Sequence, residues 1–174
     1  MTDPSLTDFA LALARVWLGI MIFAHGWRHL AATRSGPGIA RWFESLGLLP
    51  GPLHAWNVTV TELLVGVALV AGFLTPLAYG GLCSLLLVAA VTNHRKNGFF
   101  INNPGEGWEY VVTVAVVAIA LGTLGPGNWS LDHAVGFSFP FENGTALLIT
   151  ALLGLGGTAG FLAVFWRPPA EQPS

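Results

Sequence analysis

The stretch Phe9–Leu30, FALALARVWLGIMIFAHGWRHL, decides the fold. A helix of about 20 apolar residues crosses the roughly 30 Å hydrocarbon core of a bilayer, and this stretch has that length with few charges. Four more stretches of the same kind follow, at Ala55–Leu74, Leu77–Asn93, Trp108–Leu124 and Thr145–Trp166. Taken as helices one to five, they predict an all-α membrane protein. Residues 1–134 form a four-helix transmembrane bundle, and residues 135–174 add an outer loop, a fifth span over 145–166 and a short tail.

Composition agrees. Hydrophobic residues make up 53% of the chain, charged residues 9%, and the mean hydropathy is +0.65. A domain dissolved in water would have too little polar surface to cover itself. A net charge of −2 with no basic tail excludes nucleic acid as a partner. The single cysteine, Cys83, lies in an apolar run, so an internal disulfide, a CxxC redox pair and a cysteine-based zinc site are all excluded. Met1–Asp8 lacks the basic region of a signal peptide, and the first apolar segment is expected to remain as an anchor.

Only Thr75 and Pro76 separate helices two and three, which predicts a tight hairpin broken at the proline. Six of the seven basic residues, Arg28, Arg34, Arg41, Arg95, Lys96 and Arg167, fall in connections on one side; the seventh, Arg15, is within helix one. The positive-inside rule therefore predicts a cytoplasmic C-terminus and an external N-terminus. Between helices one and two, Ile39, Trp42, Phe43 and Leu46 recur at helical spacing while Arg41, Glu44 and Ser45 point elsewhere. This pattern predicts a short amphipathic helix near 39–47 in the headgroup region. Trp129, Phe137, Phe139 and Phe141 are read as aromatic anchors at the opposite interface.

Ionisable groups at membrane depth must face protein, pair, or line a polar cavity. Arg15, Gly19, Ile22, Gly26 and His29 share one stripe of helix one, flanked by His25. The two glycines allow another helix to approach closely. At 1.5 Å per residue from the helix midpoints, Arg15 stands about 7 Å toward the outside and Glu62 and His25 about 4 Å and 8 Å toward the cytoplasm. These depths predict an Arg15–Glu62 ion pair. The competing arrangement has Arg15 snorkelling outward beside a neutral Glu62.

The cytoplasmic end gathers His29, Asn93, His94, Trp108, Glu109 and Tyr110. Imidazoles ligate metals and haem, but histidine, tryptophan and tyrosine are also ordinary interface residues, and no metal or haem is predicted. A quinone-type site fits better: it needs an apolar slot, an aromatic wall and a hydrogen-bonding group, available from His25, His94, Trp108, Glu109 and Tyr110. His94, Glu109 and Tyr110 are the candidates for proton chemistry. Gly156 and Gly160 form a GxxxG face that packs on helix four or on another copy of the chain.

The order of these motifs, ARVWLGIMIFAHGWRHL, TELLVGVALVAGFLTPLA, NHRKNGFF, GWEYVV and GPGNWSLD, resembles the DoxX family of small bacterial membrane proteins over about Arg15–Asp132. The positions carrying the likeness are Arg15, Gly19, His25, Gly26, Glu62, Gly66, His94, Gly98, Phe99, Phe100, Trp108, Glu109 and Tyr110. The resemblance implies a four-helix core in a bacterial cytoplasmic membrane, with the fifth span a departure. It also implies association with redox assemblies, among them a thiosulfate:quinone oxidoreductase and a complex with superoxide dismutase and a sulfurtransferase. The expected function is thus a membrane subunit of a redox complex, linked to quinone, docking a peripheral partner through Arg34, Arg41, Arg95 and Lys96. The chain has no motif for flavin, nicotinamide or an iron–sulfur cluster. A non-catalytic anchor or assembly factor and a carrier of protons or a small solute are the alternatives.

Overall fold

A computed structural model describes residues 3–137 and 144–169. Its long elements are α1 (Pro4–Arg34), α3 (Gly51–Ala71), α4 (Thr75–Ala89) and α5 (Glu109–Leu124). The short α2 (Gly38–Ser45) joins α1 to α3, and α6 (Leu131–Ala134) follows α5. α4 runs on through a π-helical turn, Ala90–His94, and a 3-10 turn, Arg95–Asn97. A final rod comprises α7 (Thr145–Ala151), a π-helical turn at Leu152–Gly156, and α8 (Gly157–Phe165).

Four helices, Ser5–Arg34, Gly51–Ala71, Thr75–Asn97 and Thr145–Phe165, are long and apolar enough to cross a membrane. The fourth predicted span is the exception. α5 has 16 residues, which at 1.5 Å per residue is about 24 Å. The helix boundaries follow local chemistry. Asp3 caps α1 by accepting from the Ser5 hydroxyl at 2.7 Å and the Ser5 amide at 2.9 Å, and these bonds hold its carboxyl below the usual range. α3 begins at Gly51, before the predicted Ala55, because a proline in the first turn loses no intrahelical bond. It ends at Gly72, whose φ of 68° closes the helix in the left-handed region.

α1 lies along α3, α3 touches α4, and α4 packs against both α5 and the final rod. Glycine sets the α1–α3 seam: a Cβ on Gly19 would stand 2.8 Å from the Val70 amide nitrogen, and one on Gly26 2.9 Å from that of Leu63. The interior holds Leu18, Ile22, Leu69, Tyr79, Leu82 and Ala118, together with polar Arg15, His54, Thr59, Glu62, Thr75 and Asp132. Large apolar groups, Leu13, Trp17, Trp27, Leu64, Leu152 and Val164 among them, face outward. Buried charge beneath an apolar exterior is the pattern that lipid as solvent selects.

The predicted amphipathic helix is present as α2, with Ala40 and Phe43 buried and Trp42 exposed. Its far end is tied to the final rod. Trp166 Nε1 donates to Leu46 O at 3.0 Å and the Arg167 amide to Gly47 O at 2.8 Å. Trp129 and Phe137 are exposed; Phe139 and Phe141 lie outside the described residues.

Candidate functional site

The bundle has two polar ends. At the end holding the α3–α4 turn, α1 and the loop after α5 lock together. Arg15, 3% exposed, donates from Nη1 to Pro126 O at 2.6 Å and from Nη2 to Trp129 O at 2.7 Å. Asp8 accepts from the Asn128 amide at 2.8 Å and its side-chain nitrogen at 2.9 Å. Asp132, 1% exposed, reaches across to accept from the Leu74 amide (2.9 Å), the Thr75 amide (3.2 Å) and the Thr75 hydroxyl (3.0 Å). It thereby supplies the first turn of α4 with a cap that the local sequence does not provide. Gly72 is pinned between them, since a Cβ there would collide with the Arg15 guanidinium and Ser130.

The Arg15–Glu62 ion pair is therefore not formed, which corrects the sequence expectation. The seam glycines fix the register: Gly26 lies against Glu62 and Leu63, whereas Arg15 lies against Gly72. Glu62 and Gly72 are ten residues apart on α3, roughly 15 Å along the axis. Both groups still turn inward, as lipid requires. Arg15 meets carbonyl oxygens and Glu62 meets a histidine.

The opposite end, where Arg34, Arg41, Arg95 and Lys96 are exposed, is open. Here α1 and α3 face α4 and the final rod across a cavity of about 900 Å³, with α2 on its lining and the α4 side running from Leu77 to His94. Its polar groups include His25, Arg28, Asn57, Thr61, Asn93 and Tyr110. Glu62 Oε2 accepts from His29 Nδ1 at 2.6 Å, with the His29 side chain 27% exposed and that of Glu62 9%. Apolar walls come from Ile22, Phe43, Leu85, Val88 and Phe161. This is the composition of a site for a mostly apolar ligand with a few polar atoms.

Of the five residues expected around a quinone, His25, His94 and Tyr110 line this cavity; Trp108 and Glu109 do not. Glu109 Oε2 accepts from the Ile101 amide at 3.2 Å, and Trp108 stacks edge-on against Phe99 at 4.7 Å, so both build the loop between α4 and α5. His94 is partly occupied in the same loop: Nδ1 donates to Glu106 O at 2.9 Å and Nε2 is 3.3 Å from Asn93 Nδ2. That pattern fixes the tautomer and leaves Nε2 as an acceptor. The π-helical turn Ala90–His94 places Asn93 and His94 on the cavity wall, an element often found at functional sites. Tyr110 donates its hydroxyl to Met21 Sδ. Among the described residues, no group of three His, Cys, Asp or Glu side chains is arranged to hold a metal.

Sequence reasoning missed His54 and Asp132. His54 is 1% exposed, lines the cavity and sits edge-on to Phe161 at 5.3 Å and Phe165 at 5.1 Å. Its local context, PLHAW, reads as an interface histidine like any other. Asp132 had a signal in Ser130-Leu131-Asp132, since Ser130 caps α6 by accepting from the His133 amide, but nothing local points to Thr75.

The final rod corrects a further expectation. Gly154 and Gly157 face α4, where added Cβ atoms would stand 2.7 Å from Cys83 Sγ and 3.3 Å from Ser84 Oγ. Gly156 and Gly160 have nothing within 4 Å, so the GxxxG pair does not pack on α5, the fourth predicted span, and of the two expected partners only another copy of the chain is left.

These features define a small multi-pass helical membrane protein with a largely apolar cavity, carrying a few polar groups, at one end. The DoxX family model matches residues 10–95, and the match supports the chain's membership of the DoxX family. It runs from within α1 through α4 and the π-helical turn that follows it, so it takes in Arg15, His25, Glu62 and His94 and stops before Trp108, Glu109 and Tyr110. No curated protein and no solved structure matches the chain.

Proposed function

We propose that the chain is the membrane subunit of a redox complex in a bacterial cytoplasmic membrane, and that its cavity receives a quinone-type ring. The observation that carries this reading is the cavity itself: apolar over most of its wall, with His25, Tyr110 and the His29–Glu62 pair on its lining. A quinone would supply two-electron, two-proton chemistry. His25 and His29 are placed to hydrogen-bond a ring oxygen, and the His29–Glu62 pair can pass a proton between carboxylate and imidazole without moving charge through lipid. Electrons must come from a peripheral partner, because no flavin, nicotinamide or iron–sulfur motif is present.

Arg34, Arg41 and Lys96 are exposed beside the cavity, and Arg95 lies over the Trp166 ring at 5.1 Å. This basic rim is the surface assigned to the partner, and by the positive-inside rule it faces the cytoplasm. A pure anchor is the second reading. It is favoured by the use of His94 and Glu109 in backbone bonds of the α4–α5 loop, which removes two of the three residues first suited to proton chemistry.

Titrating a short-chain quinone into the purified protein in lipid discs, followed through tryptophan fluorescence, separates the two. Saturable binding weakened about tenfold by Glu62→Gln or His29→Phe, and little changed by Glu109→Gln, supports the quinone site. Absence of saturable binding to the wild type leaves the anchor.

A further inference from the structure

The cavity is a slot that follows α4. Its α4 wall runs from His94 at the basic end to Leu77 in the helix's first turn, roughly 25 Å at 1.5 Å per residue. His25, Arg28, His29, Asn57 and Asn93 gather at the basic end. Past the His29–Glu62 pair the wall is apolar, with Ile22, Leu77, Gly81 and Leu153. The packing of α3 on α4 gives the length of that apolar arm. A Cβ on Gly81 would stand 3.2 Å from Val65 Cγ2, so these two residues share one depth. Val65 lies three residues past Glu62 and Leu77 four residues past Gly81, which carries the arm about 10 Å deeper than Glu62. Leu77 and Leu153 on the arm are 37% and 41% exposed, so lipid reaches it there. On the α1–α5 side the slot is bridged by Tyr110, whose hydroxyl donates to Met21 Sδ.

We propose that this arm holds a long apolar chain on the cavity's ligand, with the ring at the basic end and the chain lying on α4 between α3 and the final rod. The inference rests on the cavity reading given above and adds the ligand's class and direction: a ring with a long chain, not a small free aromatic. Lipid tails are as apolar as leucine, so moving the chain from bilayer to arm yields little hydrophobic free energy. What the arm supplies is direction. A chain laid along a fixed wall holds the ring at one depth, beside His25 and the His29–Glu62 pair. The two π-helical turns border the slot at its two ends, and each puts a residue on the wall: Leu153 on the arm and Asn93 at the ring end.

Because the chain's affinity is masked by lipid, the test reads position. Two photoreactive decylquinones, one with a diazirine at the chain end and one with an azide on the ring, are cross-linked to the full chain in lipid discs and mapped by mass spectrometry. The chain-end probe should label residues 77–85 and 153–157, the ring probe residues 21–32 and 106–111, and unlabelled decylquinone should displace both. Leu77→Trp, which fills the arm from a partly exposed position, should lower chain-end labelling there about tenfold and leave ring labelling within about twofold. Leu152→Trp, on the outward face, should change neither. A displaceable ring label with the chain-end label confined to lipid or to outward residues such as Leu64 overturns the arm and leaves the cavity reading standing. No displaceable label from either probe overturns both. Phosphatidylglycerol with a diazirine at its acyl end is the third arm: if it labels residues 77–85 and decylquinone does not displace it, the arm is a lipid site and the proposal falls. If Leu77→Trp fails to accumulate, the wild-type map decides by the same outcomes.

Discussion

The two polar ends of the bundle are built from the same kinds of residue and reach opposite outcomes. At the turn end, Arg15 and Asp132 are 3% and 1% exposed and spend their hydrogen bonds on backbone groups of distant segments. At the basic end, Glu62 has a partly exposed histidine for a partner, and around it lies a cavity of about 900 Å³. The difference is in what the charges meet. Backbone carbonyls and amides are fixed by the fold, so groups that bind them become part of the packing. Side-chain partners can rotate, protonate or exchange for a ligand, so the second end keeps chemical freedom.

The largest effect should come from breaking the closed end at Arg15. Arg15→Met keeps much of the stem but leaves Pro126 O and Trp129 O without donors, for an expected loss of about 3–5 kcal/mol. Unfolding in mixed detergent, read by circular dichroism, measures it; a midpoint equal to wild type would show that the guanidinium is not structural. Asp132→Ala comes next, at about 2–3 kcal/mol, because the start of α4 loses its cap and the Thr75 hydroxyl its acceptor. Asp132→Asn keeps one acceptor oxygen and should recover roughly half of that loss. If Asn and Ala are equally damaging, the carboxylate acts through its charge and not as a cap.

At the open end the same measurement should barely move. Glu62→Gln retains a hydrogen-bonding side chain beside a partly exposed His29, so the expected stability change is under about 1 kcal/mol while quinone affinity falls about tenfold. A stability loss as large as that of Arg15→Met would make the two ends alike and dissolve the contrast. Quinone affinity that is unchanged would remove Glu62 from the cavity's working groups.

How much of this was legible follows the same division. The long rods, the 39–47 helix and the inward turn of Arg15 and Glu62 follow from apolar length, helical spacing and the cost of charge in lipid, and all three are local properties of the chain. Partners are not local. The pairing of Arg15 with Glu62 was inferred from depth along separate helices, but depth depends on register, and the contacts at Gly19, Gly26 and Gly66 set it. Trp108 and Glu109 were placed by proximity in sequence to His94 and Tyr110; the fold of the intervening loop turned two of the four away from the cavity. Asp132 and His54 act across 57 residues and across two rods, distances at which spacing carries no information.

The smallest effect is expected at Gly156 on the final rod, which also walls the cavity, and it tests what glycine spacing means. Gly154 stands against Cys83, so Gly154→Ala forces α4 and the final rod apart and should cost about 1–3 kcal/mol. Gly156 meets nothing within 4 Å; with no clash and a better helix former, Gly156→Ala should be neutral or stabilise the single chain by up to about 1 kcal/mol. The GxxxG spacing of Gly156 and Gly160 is identical in either case, and only the rotation of the rod distinguishes a packed face from a free one. Should Gly156→Ala instead destabilise the protein, or shift its mass in native detergent to a smaller species, the free face is where a second copy sits. The small-residue stripe would then join chains, while Gly154 and Gly157 hold the rod to its own bundle.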